Sequence, residues 1–410
     1  MIHRRIALAV SLATTTTGAV AAPQSFTTAR SFAMGGTGVA VAHPASANTA
    51  NPAMLAMGQH DWADEFGLIL PSINARLADD EEVIDQIDDI QDTIDTINAQ
   101  IDTLDTAAIS DSAGRLQSQL EALNRDTMRA DAGVGLSLAL PTSGVSVGVF
   151  TNASVRATGR GDVSDSDLAL LEAIQNNPAL ATTITDIGDI LTSEGTAYAA
   201  AVGEVGVSFA KAFQMSDDNQ LAFGLSPKYV QLRTYEYSRR VSDFEDDDFD
   251  ADENETDKSG FNADLGAAYR FGESQAWTAG LSVRNIIPMD LDSRSGRTFE
   301  LDPRVTAGIA HHGDIHAVTA EIDLTEAEAF GFGDDTQWAA LGGELDVFRA
   351  VQLRAGLRHN LASNDDNSGV EEDTLYTFGL GFSPYGAHLE LSGLVSDTEV
   401  GAAVELGAAF

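Results

Sequence analysis

The chain contains no cysteine in its 410 residues. Disulfides, thiol catalysis, iron–sulfur clusters and cysteine-held zinc are thereby excluded, and the fold must rest on an ordinary core or on a closed sheet. Basic residues are scarce as well, with 23 Lys and Arg against 63 Asp and Glu for a net charge of −40. Nucleic acid is bound through phosphates by a basic footprint, so direct nucleic-acid binding is not expected. Past residue 20 there is no long uninterrupted apolar run, and no helical membrane span is expected in the mature chain. The acid is unevenly spread: 79–126 holds 14 Asp and Glu, and 242–258 holds ten. Blocks of this kind mark solvated surface or loops.

What is present begins with an export signal. Arg4 and Arg5 precede an apolar stretch from Ile6 to Val20, and Ala19-Val20-Ala21 offers a small-x-small cleavage site. Residues 1–21 therefore read as a signal peptide, with the mature chain starting at Ala22.

After about residue 60 the dominant period is two, the signature of strands. Val351, Leu353, Ala355 and Leu357 oppose Gln352, Arg354, Gly356 and Arg358; His316, Val318, Ala320, Ile322 and Leu324 oppose Thr319, Glu321 and Asp323. Fourteen such segments are expected: 62–78, 129–141, 145–159, 196–213, 220–241, 259–271, 276–288, 297–310, 315–325, 337–347, 351–361, 374–383, 387–396 and 399–410. Every second connection is short, and those between are mostly longer. One closed antiparallel sheet with tight turns at one rim and long loops at the other has that asymmetry, which is the layout of outer-membrane barrels. A soluble sandwich also alternates, but its apolar face is the filled interior. Here the charged face carries much glycine and alanine while the other carries Val, Leu and Ile, which suits charge inside and lipid outside. Strands in hydrocarbon must also close, because an open edge leaves backbone groups unpaired. The fold class is therefore all-β, a 14-stranded antiparallel transmembrane β-barrel. The terminal Phe410 on an alternating last strand resembles the recognition signal of the barrel assembly machinery, an expected partner along with outer-membrane lipid and lipopolysaccharide.

Two connections read as helical. Val83, Ile87, Ile90, Ile94, Ile97, Ile101 and Leu104 step 4-3-4-3-4-3, a heptad seam, and after a break at 107–114 Leu116, Leu120 and Leu123 continue it. A helical hairpin is expected within 79–126 and a second insertion within 164–191, both on the extracellular rim. A short two-helix seam could recruit a third helix from a partner.

Motifs for chemistry are few. Gly144-Val145-Ser146-Val147-Gly148 fits G-x-S-x-G, but it enters a strand from a turn where a hydrolase elbow leaves a strand for a helix, so it reads as coincidence. Asp248, Asp250, Asp252 and Asn254 imitate the opening of a calcium loop, whose required glycine and terminal Glu are replaced by Glu253 and Ser259. His311 and His312 read as turn histidines. No catalytic residue, metal site or cofactor is expected. Glu321, Asp323, Glu344, Asp346, Arg354, Arg358 and Glu390 fall on inward positions and are expected to line the lumen.

The segment "ARSFAMGGTGVAVAHPASANTANPAMLA" (29–56) resembles the N-terminal segment of FadL-like outer-membrane transporters, and its wording is similar to the branch labelled conjugal transfer protein TraF. The resemblance runs through Gly35, Gly36, Gly38 and Asn51-Pro52-Ala53; where relatives often carry an acidic pair, this chain has His43-Pro44. It implies that 22–60 folds inside the lumen as a hatch, leaving 61–410 as the barrel. It also implies a hydrophobic or amphipathic small-molecule cargo, an apolar pocket against the hatch, and a gap in the wall within 145–159. Physically, a segment packed inside a barrel must bend tightly beside many side chains, which suits glycine and small residues. Pro52 biases Asn51 toward an extended conformation. The other function implied by the branch is a conjugation or secretion accessory, a surface scaffold whose partner is another envelope protein.

Overall fold

The structure is a computed structural model that describes residues 26–57, 67–79, 82–243, 254–347, 350–363 and 373–408. The signal peptide, Phe410 and the Asp248–Asp252 loop lie outside the described residues. The strands are β1 (Leu68–Ala78), β2 (Thr127–Leu140), β3 (Ser146–Asp162), β4 (Glu194–Ser216), β5 (Asn219–Arg240), β6 (Glu255–Phe271), β7 (Trp277–Arg284), β8 (Met289–Asp292) and β9 (Thr298–Leu301). They continue with β10 (Arg304–His312), β11 (His316–Asp323), β12 (Trp338–Val347), β13 (Val351–Asn360), β14 (Thr374–Phe382), β15 (Ala387–Val395) and β16 (Glu399–Ala408). Fourteen of these close one barrel in the order β1-β16-β15-β14-β13-β12-β11-β10-β7-β6-β5-β4-β3-β2, and β8 and β9 pair separately. Every barrel strand is antiparallel to its neighbours, and β1 meets β16 from Leu68–Ala408 to Ala78–Glu399.

The alternation has its physical reason in the burial. Val149, Val205, Phe223, Leu341, Phe378 and Leu391 point outward and are exposed, while Ser226, Lys228, Gln352, Arg354 and Glu390 point inward and are buried. Charge inside and alkyl groups outside is the reverse of a soluble barrel and suits a lipid surround. Aromatic pairs stand on the strands: Tyr229 meets Phe261 edge-on at 5.6 Å midway along β5, and Tyr269 stacks on Phe271 at 5.5 Å at the short-turn end of β6.

Several expectations are corrected. The segment expected at 297–310 is two strands, because Asp302-Pro303 interrupts it and proline supplies no ladder donor. The wall has no gap at 145–159: β3 pairs without interruption with β4 from Ser146–Ala210 to Asp162–Glu194. Irregularity lies elsewhere. A bulge between Ile69 and Ser72 contains Pro71. The β4–β5 ladder passes from Gly206–Lys228 to Phe209–Leu225 without pairing Val207 and Ser208 to Pro227 and Ser226. Inside the wall, Ser208 Oγ and Ser226 Oγ bridge that interval at 2.7 Å. His311 and His312 end β10 rather than occupying a turn. The His311 ring lies 4.8 Å from Trp277 and stacks on His316 at 5.4 Å.

The loop rim carries helices. Before the barrel come α1 (Ala29–Ala33) and α2 (Pro44–Ala50); within the β1–β2 connection come α3 (Val83–Thr103) and α4 (Thr106–Leu123); α5 (Asp165–Asn176) follows β3. The break in the hairpin is at Leu104-Asp105, not at 107–114. Leu104 takes a left-handed φ of 55°, and Asp105 caps α4 by accepting from Ala108 N at 3.2 Å. The seam of α3 and α4 is not vacant. Leu171 and Ile174 of α5, with Ile187, Leu191 and Val241, complete one buried cluster with Ile90, Ile97, Leu116 and Leu120. The third helix comes from the same chain. In a separate cluster, β8, β9 and a loop bearing Phe330 and Phe332 fold against Tyr198, Val202, Val230 and Leu232 of β4 and β5.

Candidate functional site

Residues 26–57 occupy the barrel interior, and their path is set residue by residue. Gly35 and Gly36 turn the chain at φ +72° and +84°, a region that favours glycine. A Cβ on Gly38 would lie 2.9 Å from Ala50 Cβ, so the loop closes on α2 only because that side chain is missing. Asn51 is extended (φ −150°, ψ 105°), accepts from Ala53 N at 3.1 Å, and hands the chain to a single 3-10 turn, Pro52–Ala56. Its amide also donates to Val39 O at 2.7 Å and to Ala267 O of the wall at 3.2 Å. The Asn-Pro-Ala stretch thus joins two passes of the plug to β6.

The wall is shaped to receive this backbone. Inward glycines stand at several of the points where the plug touches it. A Cβ on Gly342 would sit 2.6 Å from Met34 O, and one on Gly266 would sit 2.8 Å from Ala53 N. The 3-10 turn rests on Ala139, Ala210, Ala222 and Ala268. Small residues inside the barrel are therefore matched to the plug rather than to an open channel.

Hydrogen bonds complete the seating. Glu321 Oε1 accepts from three successive plug amides, Gly38 N at 2.9 Å, Val39 N at 2.7 Å and Ala40 N at 3.3 Å. Thr377 Oγ1 accepts from Gly35 N and donates to Ala33 O, each at 2.9 Å. Ala29 N donates to Ser72 Oγ at 3.0 Å and to Glu405 Oε2 at 3.1 Å. Arg30 reaches Glu344 Oε2 at 2.9 Å, and Arg354 binds both Glu344 and Glu390. His43 is buried in the plug. Burial, with the Arg30 guanidinium near, holds its imidazole well below the usual range.

All seven lumen charges named from the sequence face inward. Glu344, Arg354 and Glu390 join one network; Asp323 takes Arg304, Thr306 Oγ1 at 2.7 Å and Trp338 N at 3.2 Å. Asp346 faces Gln352 at 3.5 Å, and Arg358 lies 4.1 Å over the Trp338 ring. Glu321 is spent on the plug backbone. Sequence reasoning missed a second network, in which Asp131 receives Arg76 and Arg156, each at 2.7 Å, while Glu399 receives Arg129 at 2.7 Å. It also missed Lys228 between Glu204 at 2.7 Å and Asp264 at 2.8 Å. All of these stand on inward positions of their strands, so the same alternation would have revealed them.

Two cavities adjoin the plug on its loop-rim side. The inner one, 110 Å³, is bordered by Arg30, Arg284, Arg304, Arg358, Glu321 and Asp323. The outer one, 230 Å³, shares Arg284 and Arg304 and adds Glu300, Asp302, Glu326 and Glu328. The space against the hatch is mixed rather than purely apolar: beside these charges it is lined by Phe26, Val39, Trp338 and Leu301. The large apolar hollow, 640 Å³, lies on the outward face among Leu70, Leu136, Val149, Val205, Tyr229 and Phe261. Ser146 of the G-x-S-x-G stretch is buried and locks the Thr142 turn, accepting from Thr142 N at 3.0 Å and donating to Thr142 O at 3.3 Å. Among the described residues no cluster of three or more His, Asp and Glu is placed to hold a metal ion.

A closed fourteen-stranded barrel with an apolar exterior, a charged lumen and an internal N-terminal plug is of the transmembrane β-barrel class. The chain belongs to the TraF family, described as the F plasmid transfer operon TraF protein, whose family model matches residues 48–323. No curated protein sequence matches it significantly. Among solved structures it is similar to the TodX deltaS2S3 mutant monoaromatic hydrocarbon channel, with 13% identity, a TM-score of 0.53, and coverage of 94% of this chain and 99% of that one. The TodX deltaS2 mutant compares similarly, with 13% identity, a TM-score of 0.51, and 93% and 98% coverage. The Pseudomonas putida toluene transporter TodX matches with 12% identity and a TM-score of 0.41, over 96% of this chain and 100% of that one. At these identities the likeness to the two mutant channels speaks for the fold alone.

Proposed function

We propose that the protein is a passive outer-membrane channel for small molecules, gated by its N-terminal plug. The observation that carries this reading is the manner of seating. The plug fills the lumen yet makes no strand of the wall, and side chains such as Glu321 and Thr377 hold its backbone by hydrogen bonds alone. Such a segment can leave without breaking the barrel ladder. The TodX channels are named for monoaromatic hydrocarbons, which supports a small-molecule cargo. The mixed cavities beside the plug favour the amphipathic over the purely hydrophobic side of that range. Excision of 26–57 tests the gate. The barrel is expected to assemble, and planar-bilayer conductance to rise well above that of the intact chain; an assembled barrel without that rise overturns the reading.

Membership of the TraF family favours a second reading, in which the barrel is an accessory of conjugation or secretion and presents its helical cap to another envelope protein. Since α5 fills the α3–α4 seam, a partner would meet the acidic outer faces of the cap rather than an open apolar stripe. Deleting 79–126 is expected to release such a partner from pull-downs, and retention of every partner counts against it.

A further inference from the structure

The short turn between β10 and β11 brings two histidines onto one face of the wall. His311 lies directly across from Val318, which is exposed and outward, and His316 stands two residues before Val318 on the same strand. Both imidazoles are therefore on the outward face, while His312 falls on the other. In the ladder they hold diagonal positions, within reach of one another for ring side chains.

Both rings are held in place. Trp277, paired with His311 from β7, meets its ring at 4.8 Å and 67°. His316 folds back over the turn: its carbonyl accepts from Gly313 N at 2.8 Å, and a Cβ on Gly313 would fall on the imidazole. So placed, His311 Nδ1 and His316 Nε2 come to 3.3 Å, with the ring planes 21° from parallel. That is long for a hydrogen bond from a ring N–H, whose usual range ends at about 3.2 Å. It is the spacing of two nitrogens on one tetrahedral ion. Bonds of about 2.0–2.1 Å at the tetrahedral angle set such nitrogens about 3.3–3.4 Å apart. Small rotations about the soft χ2 torsions aim both lone pairs at one centre, with the protons on His311 Nε2 and His316 Nδ1.

We propose that His311 and His316 form a two-imidazole site for a divalent transition ion, zinc or copper(II), at the short-turn rim. Imidazole suits these ions, whereas calcium and magnesium take oxygen. Among the described residues no third His, Asp or Glu joins the pair, so water fills the remaining positions. The nitrogens converge only when β10 and β11 are paired, so the ion binds the folded barrel and clamps this turn. The ion takes over a contact the two rings already make with each other, and no other partner is displaced.

Trp277 stands beside the pair and reports on it, because bound copper(II) quenches an adjacent indole. In the untagged full chain carrying Trp62→Phe and Trp338→Phe, copper(II) is expected to quench Trp277 saturably, and its electron paramagnetic resonance spectrum to show coupling to two nitrogens. Zinc should relieve the quenching by competition, and calcium should not. Loss of a supporting partner alone costs a metal site about 10–100-fold, so His311→Gln or His316→Gln, each removing a ligand, should weaken copper about 100-fold. Gly313→Ala keeps both ligands but displaces one ring, and should weaken it about tenfold. His312→Gln should leave binding unchanged. Zinc should also raise the temperature at which gel mobility shifts, for the chain with both histidines and not for the doubly substituted one. Unshifted mobility in the cold confirms that each variant is a folded barrel. Quenching that survives His311→Gln with His316→Gln, or that is lost with His312→Gln, overturns the site. So do calcium competing as well as zinc, the absence of saturable quenching, and zinc that leaves the mobility shift where it was.

Discussion

Glu321 is used as an acceptor for backbone rather than as a counter-ion, and much follows from that one side chain. Three buried amides depend on its Oε1. Glu321→Ala orphans them, and each buried donor without an acceptor costs about 1–3 kcal/mol. The expected outcome is a barrel of ordinary stability whose channel opens far more often, measured by single-channel recording. Glu321→Gln, which keeps one acceptor oxygen but adds a donor facing the same amides, should fall between. A second prediction concerns His43, packed near Arg30, Glu344, Arg354 and His388. Packing lowers its proton affinity, so the released plug takes up a proton that the seated plug refuses. Seating is then fully stable above the free imidazole value of about 6.5 and weakens as pH falls below it. Protease cleavage within the plug should rise as pH drops from about 7.5 to about 5, and His43→Gln should flatten that dependence.

At the scale of elements, the plug and the cap answer to different forces. The plug meets the wall at glycines, so Gly342→Val, whose Cβ would press on Met34 O at 2.6 Å, should expel it. Raised conductance with unchanged gel mobility is the expected readout. The cap stands on its own apolar cluster, where Leu116 is fully buried. Leu116→Ala should cost about 2–5 kcal/mol locally. Helical circular dichroism should melt earlier while the heat-shift of the barrel stays put. These elements were unequally legible. The barrel strands follow from alternation because each separates water-lined from lipid-lined space, and that difference is written every second residue. Pro303 could have warned that 297–310 was broken. The filling of the α3–α4 seam by Leu171 and Ile174 depended on which of two acidic helical loops would fold together, a matter of tertiary contact. The glycines of the plug were visible as a cluster. The role of Gly342 or Gly266 was not, since the backbone each must admit lies more than two hundred residues away in the chain.

For the whole molecule, the decisive boundary is between lipid and lumen. Leu341 points outward from β12 and is exposed, whereas Gly342 and Glu344 on the same strand face inward. A Leu341→Arg change places charge in the apolar band and should destabilise the barrel by about 2–4 kcal/mol if the site is near the midplane. Equilibrium unfolding in lipid vesicles measures it, and a change of that size is not expected from a lumen substitution such as Thr306→Ser. The same boundary separates the two hollow regions, one bearing charge and internal, one apolar and external, so that a molecule suited to one is unsuited to the other.

The fit of glycine to plug backbone has a consequence for how the gate can behave. Because the wall carries glycine at several points where this particular backbone passes, a slide of one or two residues would bring Cβ atoms onto carbonyls and amides at several strands together. Part-way positions are thereby penalised, and a plug that gates the barrel is expected to have two resting places, home and out. Current through a single molecule should therefore jump between two levels rather than drift through a graded series.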